Sequence, residues 1–191
     1  PPPPPARGLV SQLVDEILAH DLSGFSPKVR AAPLVVRMRA LFLIAQGSPA
    51  AAAPHAAQLA PYLRVAASGA STEALATLAL AAEILALALP VMPRPAASFA
   101  SLAETELTAA LFQKPADVIP GVAKALAALT THVTRSAARL RDAVLGKFYA
   151  FASQCAGLPL HQLTEKARRN LQRALFCMGL LVRHYDFDAT L

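Results

Sequence analysis

The chain has no tryptophan, and only 6% of its residues are aromatic. Pleated sheets are filled best by aromatic and β-branched side chains, so the supply argues against a β-rich core. Glycine is scarce, with eight in 191 residues, and cysteine scarcer, with two. Two thiols cannot staple a disulfide scaffold. Cys155 and Cys177 both fall in apolar helical stretches and read as buried free thiols in a reducing compartment. An uninterrupted apolar run is also missing. The stretch of bilayer length, ALATLALAAEILALALPVMP (residues 74–93), carries Glu83 at its centre and Pro90 and Pro93 at its end, and no cluster of Lys or Arg flanks it. It reads as a helix covered on two sides, not as a membrane span. The opening PPPPPARG, residues 1–8, has neither the charged nor the apolar region of a secretory signal; it reads as an extended polyproline segment, and the chain as an excerpt of a longer protein.

Alanine and leucine dominate what is present. Hydrophobic residues make up 55% of the chain. Ala and Leu lose least on entering a helix, and apolar residues recur here at threes and fours almost throughout. Turn residues break this pattern into eight expected helices: Leu9 to Leu22, Pro33 to Gln46, Pro54 to Ala67, Ser71 to Leu89, Ser98 to Phe112, Asp117 to Val133, Ser136 to Gln154 and Thr164 to His184.

Several helix starts carry their own chemistry. Ser71 precedes an apolar run with Glu73 in its first turn, Ser101 and Glu104 have the spacing of a capping box, and Pro33 and Pro54 suit a first helical turn, where the missing N–H costs nothing. The expected buried faces follow from the spacing. In the fourth helix Leu75, Leu78, Ala82, Leu85 and Leu89 form one stripe, with Leu80 and Leu87 behind it beside Glu83. Leu140, Val144, Phe148, Phe151 and Cys155 mark the seventh; Leu171, Leu175, Met178 and Val182 mark the eighth. Short connections predict helix hairpins packed in a row, and the pair HAAQLAPYLRVAAS and STEALATLALAAEILALAL fits a period near 40 residues. The expected fold is therefore all-α, an α-solenoid of antiparallel hairpins of HEAT type over residues 9–191. A compact helical bundle is the second choice.

Net charge is +6, and it is unevenly placed: from Arg135 to Leu191 there are nine basic and four acidic residues. A smaller basic group, Lys28, Arg30, Arg37 and Arg39, lies near the start. Lys166, Arg169 and Arg173 recur at threes and fours on the eighth helix, and Arg135 and Arg139 do so on the seventh, with Lys147 further along. Each stripe is equally a solvated helix face. Two adjacent stripes tilt the reading toward a polyanion, because counterion release rewards clustered charge without a base-reading motif. The candidate DNA or partner residues are Arg135, Arg139, Lys147, Lys166, Arg169 and Arg173.

No catalytic constellation is legible. The five histidines are scattered, and Gly146-Lys147 lacks the upstream glycine and the following Ser or Thr of a phosphate-binding loop. Enzyme activity and a bound cofactor are not expected. The alternation His184-x-Asp186-x-Asp188 could suggest metal, but such side chains converge only on a strand, and no strand is expected there. Capping costs less: Arg183 and His184 suit the negative end of one helix, and an Asp can start the next.

Three blocks also resemble, in the same order, a stretch of the Nipped-B-like cohesin loaders, or adherins, which are large HEAT-repeat proteins. The blocks are HAAQLAPYL, ALAAEILALALPVMPRPAASFASLAETELTAALF and RNLQRALFCMGLLVRHYDFD. In the last, Leu175-Phe176, Gly179, Arg183-His184 and Asp186-Phe187-Asp188 match the family pattern, with Tyr185 where the family carries Phe. The middle block is similar in its Glu-Ile-Leu step, in Pro90 and in a Leu-x-x-x-Leu spacing. Coverage runs from about His55 to Asp188, weakest between Arg135 and Gln162, with nothing family-specific in residues 1–27.

The resemblance implies a chromosome-associated scaffold in the nucleus. It implies partners in the SMC and kleisin subunits of cohesin, DNA bound without sequence preference, a loader partner subunit bound elsewhere in the full protein, and no membrane. Such a scaffold promotes loading by stimulating an ATPase that belongs to cohesin. It also implies that His184 to Asp188 forms a joint between repeats and not a metal site. The alternative is a HEAT-type protein–protein adaptor unrelated to chromosomes. One expectation is specific: reversing the charge of Lys166, Arg169 and Arg173 weakens DNA binding without unfolding the protein.

Overall fold

A computed structural model describes residues 9–19, 27–60, 62–63, 71–93, 96–135 and 137–185. Within them there are eight helical runs and no strand. They are α1 (Leu9–Ala19), α2 (Pro27–Gly47), α3 (Pro49–Ala52, continued by a 3₁₀ turn over Ala53–Leu59), α4 (Thr72–Ala88), α5 (Ala97–Gln113), α6 (Ile119–Leu129), α7 (Ala137–Leu140, resumed at Gly146–Ala156) and α8 (Glu165–His184). The proline-rich residues 1–8, Leu22 and the end of the expected third helix lie outside the described residues.

Two starts form as their sequence predicts. Ser71 and Thr164, both in extended conformation, accept hydrogen bonds from the third amide beyond them, Ala74 N and Ala167 N, each at 3.2 Å. Others differ. Pro27 begins α2, and Pro33 lies in its second turn; Pro49 begins α3, ahead of Pro54. A proline nearer the chain start already fills the amide-free first position in each case. The Ser101–Glu104 capping box is not formed, because α5 begins four residues earlier, entered from Ala96 in extended conformation. Ser101 is thus interior, and its carbonyl accepts from Thr105 Oγ1 at 2.9 Å.

The helices form two layers. α2, α4, α6 and α8 pack one on the next as a continuous row, while α1 and α3 lean on the start of the row, α5 on α6 and α7 on α8. The most extensive packing joins alternate helices rather than sequential ones, which is how a hairpin repeat extends: one helix of each pair stacks on its counterpart in the next.

α4 occupies the middle of the row and is buried from both sides, as its all-round apolar surface requires: Leu78, Ala81, Ala82, Ile84, Leu85, Ala88 and Leu89 are nearly or fully inaccessible. Each buried Leu or Ile contributes about 1.5–3 kcal/mol. Thr72–Val91 is long and apolar enough to cross a membrane, yet half of it is covered by neighbouring helices and its Glu83 carboxylate meets Lys124 Nζ of α6 at 3.3 Å. Close approach at that point depends on Gly121, where a Cβ would lie 3.2 Å from Glu83 Oε1 and 3.4 Å from the Ala79 carbonyl.

On α7 the expected stripe is the buried one: Leu140, Val144, Phe148 and Cys155 are buried and Phe151 is half-buried. α8 corrects the reading. Its buried line is Ala174, Cys177, Leu181 and Tyr185, whereas Leu175 is 55% exposed and Val182 59%. The apolar surface of α8 is wider than its neighbours cover, and α6 and α7 together take the side of this buried line. Both cysteines are free and buried.

Candidate interaction surface

The connection from α6 to α7 is irregular. α6 passes into a π turn, Thr130–Thr134, in which Thr130 and Thr131 return hydrogen bonds to the carbonyls of Leu126 and Ala127 at 2.8 and 2.9 Å. Hydroxyls that bond back along a helix loosen its regular ladder. Arg135 then ends the run in left-handed conformation, with φ 47°, which is uncommon for a residue with a side chain. A second π turn, Arg141–Leu145, interrupts α7. Arg135 is exposed between the two.

From here the six candidate cations separate. Arg139 Nε meets Glu104 Oε1 of α5 at 3.0 Å, a contact that ties α7 to the middle of α5. Eight residues further along α5, about 12 Å by helix rise, Lys147 Nζ stands 6.0 Å from the centroid of the Phe112 ring, which itself stacks on Phe148 at 4.5 Å. Arg173 Nη1 of α8 donates to the carbonyls of Leu111 and Lys114 at 3.1 and 2.6 Å, at the end of α5 where helical carbonyls lack partners. Arg169 pairs along its own helix with Glu165 at 3.3 Å, both side chains well exposed. Lys166 is exposed on the same helix.

Three of the six, Arg139, Lys147 and Arg173, therefore converge on α5. Lys147 and Arg173 flank one hollow, and Arg173 and Arg169 flank a second beside it, while Arg135 and Arg139 line neither. The two sequence stripes do not merge into one continuous track. Arg173 also has a structural duty that periodicity could not reveal: a reversed side chain would set a carboxylate against two carbonyl oxygens, which adds a cost to the fold.

Cys177, fully buried next to this point, donates its thiol to the Leu111 carbonyl at 3.8 Å. Burial pushes its pKa up to about 11, with the Arg173 guanidinium acting the other way. At the far end of α8, burial followed by the charges of Arg183 and Lys124 holds His184 below its ordinary value, and Glu83 opposes them. α8 ends at His184, as expected; Asp186 and Asp188 lie outside the described residues. Among the described residues no group of three His, Cys, Asp or Glu could hold a metal ion. Sequence reasoning also missed the pairing of His55 Nδ1 with Asp15 at 3.2 Å, which links α1 to the 3₁₀ turn. The partners are far apart in sequence, and no local pattern signals such contacts.

No protein-family model matches the chain. Among curated proteins it is similar to Nipped-B-like protein of mouse and of human, 27% identical in each case over 96% of the chain, and to Nipped-B-like protein A of zebrafish at 26% over the same share. The aligned share includes most of the residues before His55, so the likeness reaches further toward the start than the motifs alone indicate. The chain spans only 7–8% of the length of these relatives. No solved structure matches it.

Proposed function

We propose that this chain is an internal helical-repeat segment of a Nipped-B-like cohesin loader, a nuclear scaffold on chromatin that helps load cohesin onto DNA. In this reading it binds cohesin's SMC and kleisin subunits and DNA without sequence preference, and stimulates cohesin's own ATPase; it performs no chemistry itself. The observation that carries the proposal is the alignment over 96% of the chain with Nipped-B-like proteins, along a stack of helices that repeats in pairs. The exposed cations Arg135, Lys166 and Arg169 support the DNA part, since backbone phosphates ask only for accessible positive charge.

One observation favours an alternative, a HEAT-type adaptor that binds proteins and has no chromosomal role. Arg139 is paired with Glu104 of α5 and Arg173 is tied through Nη1 to that helix's end, which lowers the charge free to meet a polyanion. The test is to mix the purified chain with recombinant cohesin and plasmid DNA, and to measure co-precipitation and ATP hydrolysis. The loader reading expects SMC and kleisin subunits to be retained and hydrolysis to rise; loss of both would leave the adaptor reading.

A further inference from the structure

The two hollows beside Arg173 combine features that a phosphate backbone does not need. One is floored by Phe148 and Phe151 at the junction of α5, α7 and α8, and has a volume of about 280 Å³. The other, of about 300 Å³, lies between the start of α6 and α8, with Ile119 and Phe176 in its wall. Arg173 lines both, so the two hollows adjoin at its side chain and make an interrupted furrow along the first half of α8. Lys147, Arg173 and Arg169 are spaced along it, and no carboxylate lines either hollow.

The cations are held in different ways. Arg173 commits Nη1 to the end of α5, and the other edge of its guanidinium has no partner among the described residues. Lys147 lies over an aromatic face, which orients it without neutralising it. Arg169 has a carboxylate partner, but one so exposed that an incoming anion can replace it at little cost. Phe176 is 42% exposed on α8, an uncovered aromatic ring amid this charge.

From this arrangement we infer that the furrow is a docking site for an acidic peptide segment with interspersed apolar side chains, whose carboxylates meet Lys147, Arg173 and Arg169 while its apolar residues enter the hollows. Charge complementarity selects the acidic partner. The aromatic floor selects a peptide over a nucleic-acid duplex, because a duplex presents phosphates and no apolar knobs to fill recesses. The inference does not depend on the loader reading, since a protein-binding adaptor would use the same furrow.

The test uses the whole chain and a fluorescein-labelled synthetic peptide of Glu and Asp interspersed with Phe and Leu, followed by fluorescence anisotropy. Two control peptides replace either the acids by Lys or the apolar residues by Ser, and a labelled DNA duplex is measured in parallel. Phe176→Ser changes an exposed ring and Arg169→Glu an exposed charge, so both variants are expected to fold, which circular dichroism checks. Binding of the acidic apolar peptide, weakened roughly fivefold or more by each substitution and lost with either control peptide, supports the inference. The DNA affinity is expected to ignore Phe176→Ser. Equal binding of the Ser control, or indifference to Phe176→Ser, would overturn it in favour of a simple electrostatic patch.

Discussion

Arg173 Nη1 lies 2.6 Å from the Lys114 carbonyl, so one guanidinium from α8 closes the open end of α5 across 59 residues of sequence. Nη1 alone donates to both the Leu111 and Lys114 carbonyls, and the rigid guanidinium plane fixes its direction, whereas an ammonium is a point donor on a flexible stem. Arg173→Ala is therefore expected to cost about 1.5–3 kcal/mol, and Arg173→Lys to restore little of it. Urea denaturation of the three proteins measures this; full rescue by lysine would show that charge alone matters.

For DNA, the informative cations are those with no structural duty. Reversing Lys166 and Arg169 together should leave the unfolding midpoint almost unchanged and weaken duplex binding. If each meets one phosphate, the slope of log affinity against log salt falls in magnitude by about 2. An unaltered slope removes both residues from the footprint.

Two leucines on one helix separate its covered and uncovered sides. Leu181 is fully buried and Leu175 is 55% exposed. Leu181→Ala should cost about 2–5 kcal/mol, and Leu175→Ala stay within about 0.5 kcal/mol. Comparable losses from thermal unfolding would restore the stripe that the spacing alone suggests.

The Cys177 thiol carries a pH signature. Burial lifts it from its ordinary 9.0 to about 11, so on raising the pH the unfolded thiol ionises first and the folded state keeps its proton. Its contribution to stability is complete below about pH 9 and is lost as pH rises toward 11. The difference in stability between the natural chain and Cys177→Ala should narrow across that interval. At pH 8 the native thiol should resist iodoacetamide until the chain unfolds.

Much of this architecture was legible in order along the chain. An Ala/Leu-rich composition, a period of three to four and a serine before an apolar run are local properties, and they set the all-α class, the cap at Ser71 and the buried line of α7. Ser101 misled for a physical reason: a capping box is a pattern of two side chains, but it forms only where the helix begins, and α5 begins at Ala97.

The candidate surface was legible only in part. Periodicity found its cations, because charge spacing along one helix is written in the sequence, yet it could not say which would face solvent.

The sequence by itself determined that this chain folds into paired helices, where most of them start and stop, and that its later third is basic. Tertiary structure decided which face of α8 is covered, that Glu83 meets Lys124, and that Arg139, Lys147 and Arg173 turn toward α5. The division follows from range: helix formation and capping are settled within a few residues, whereas a side chain's partner depends on which distant surface packing brings within about 3–4 Å.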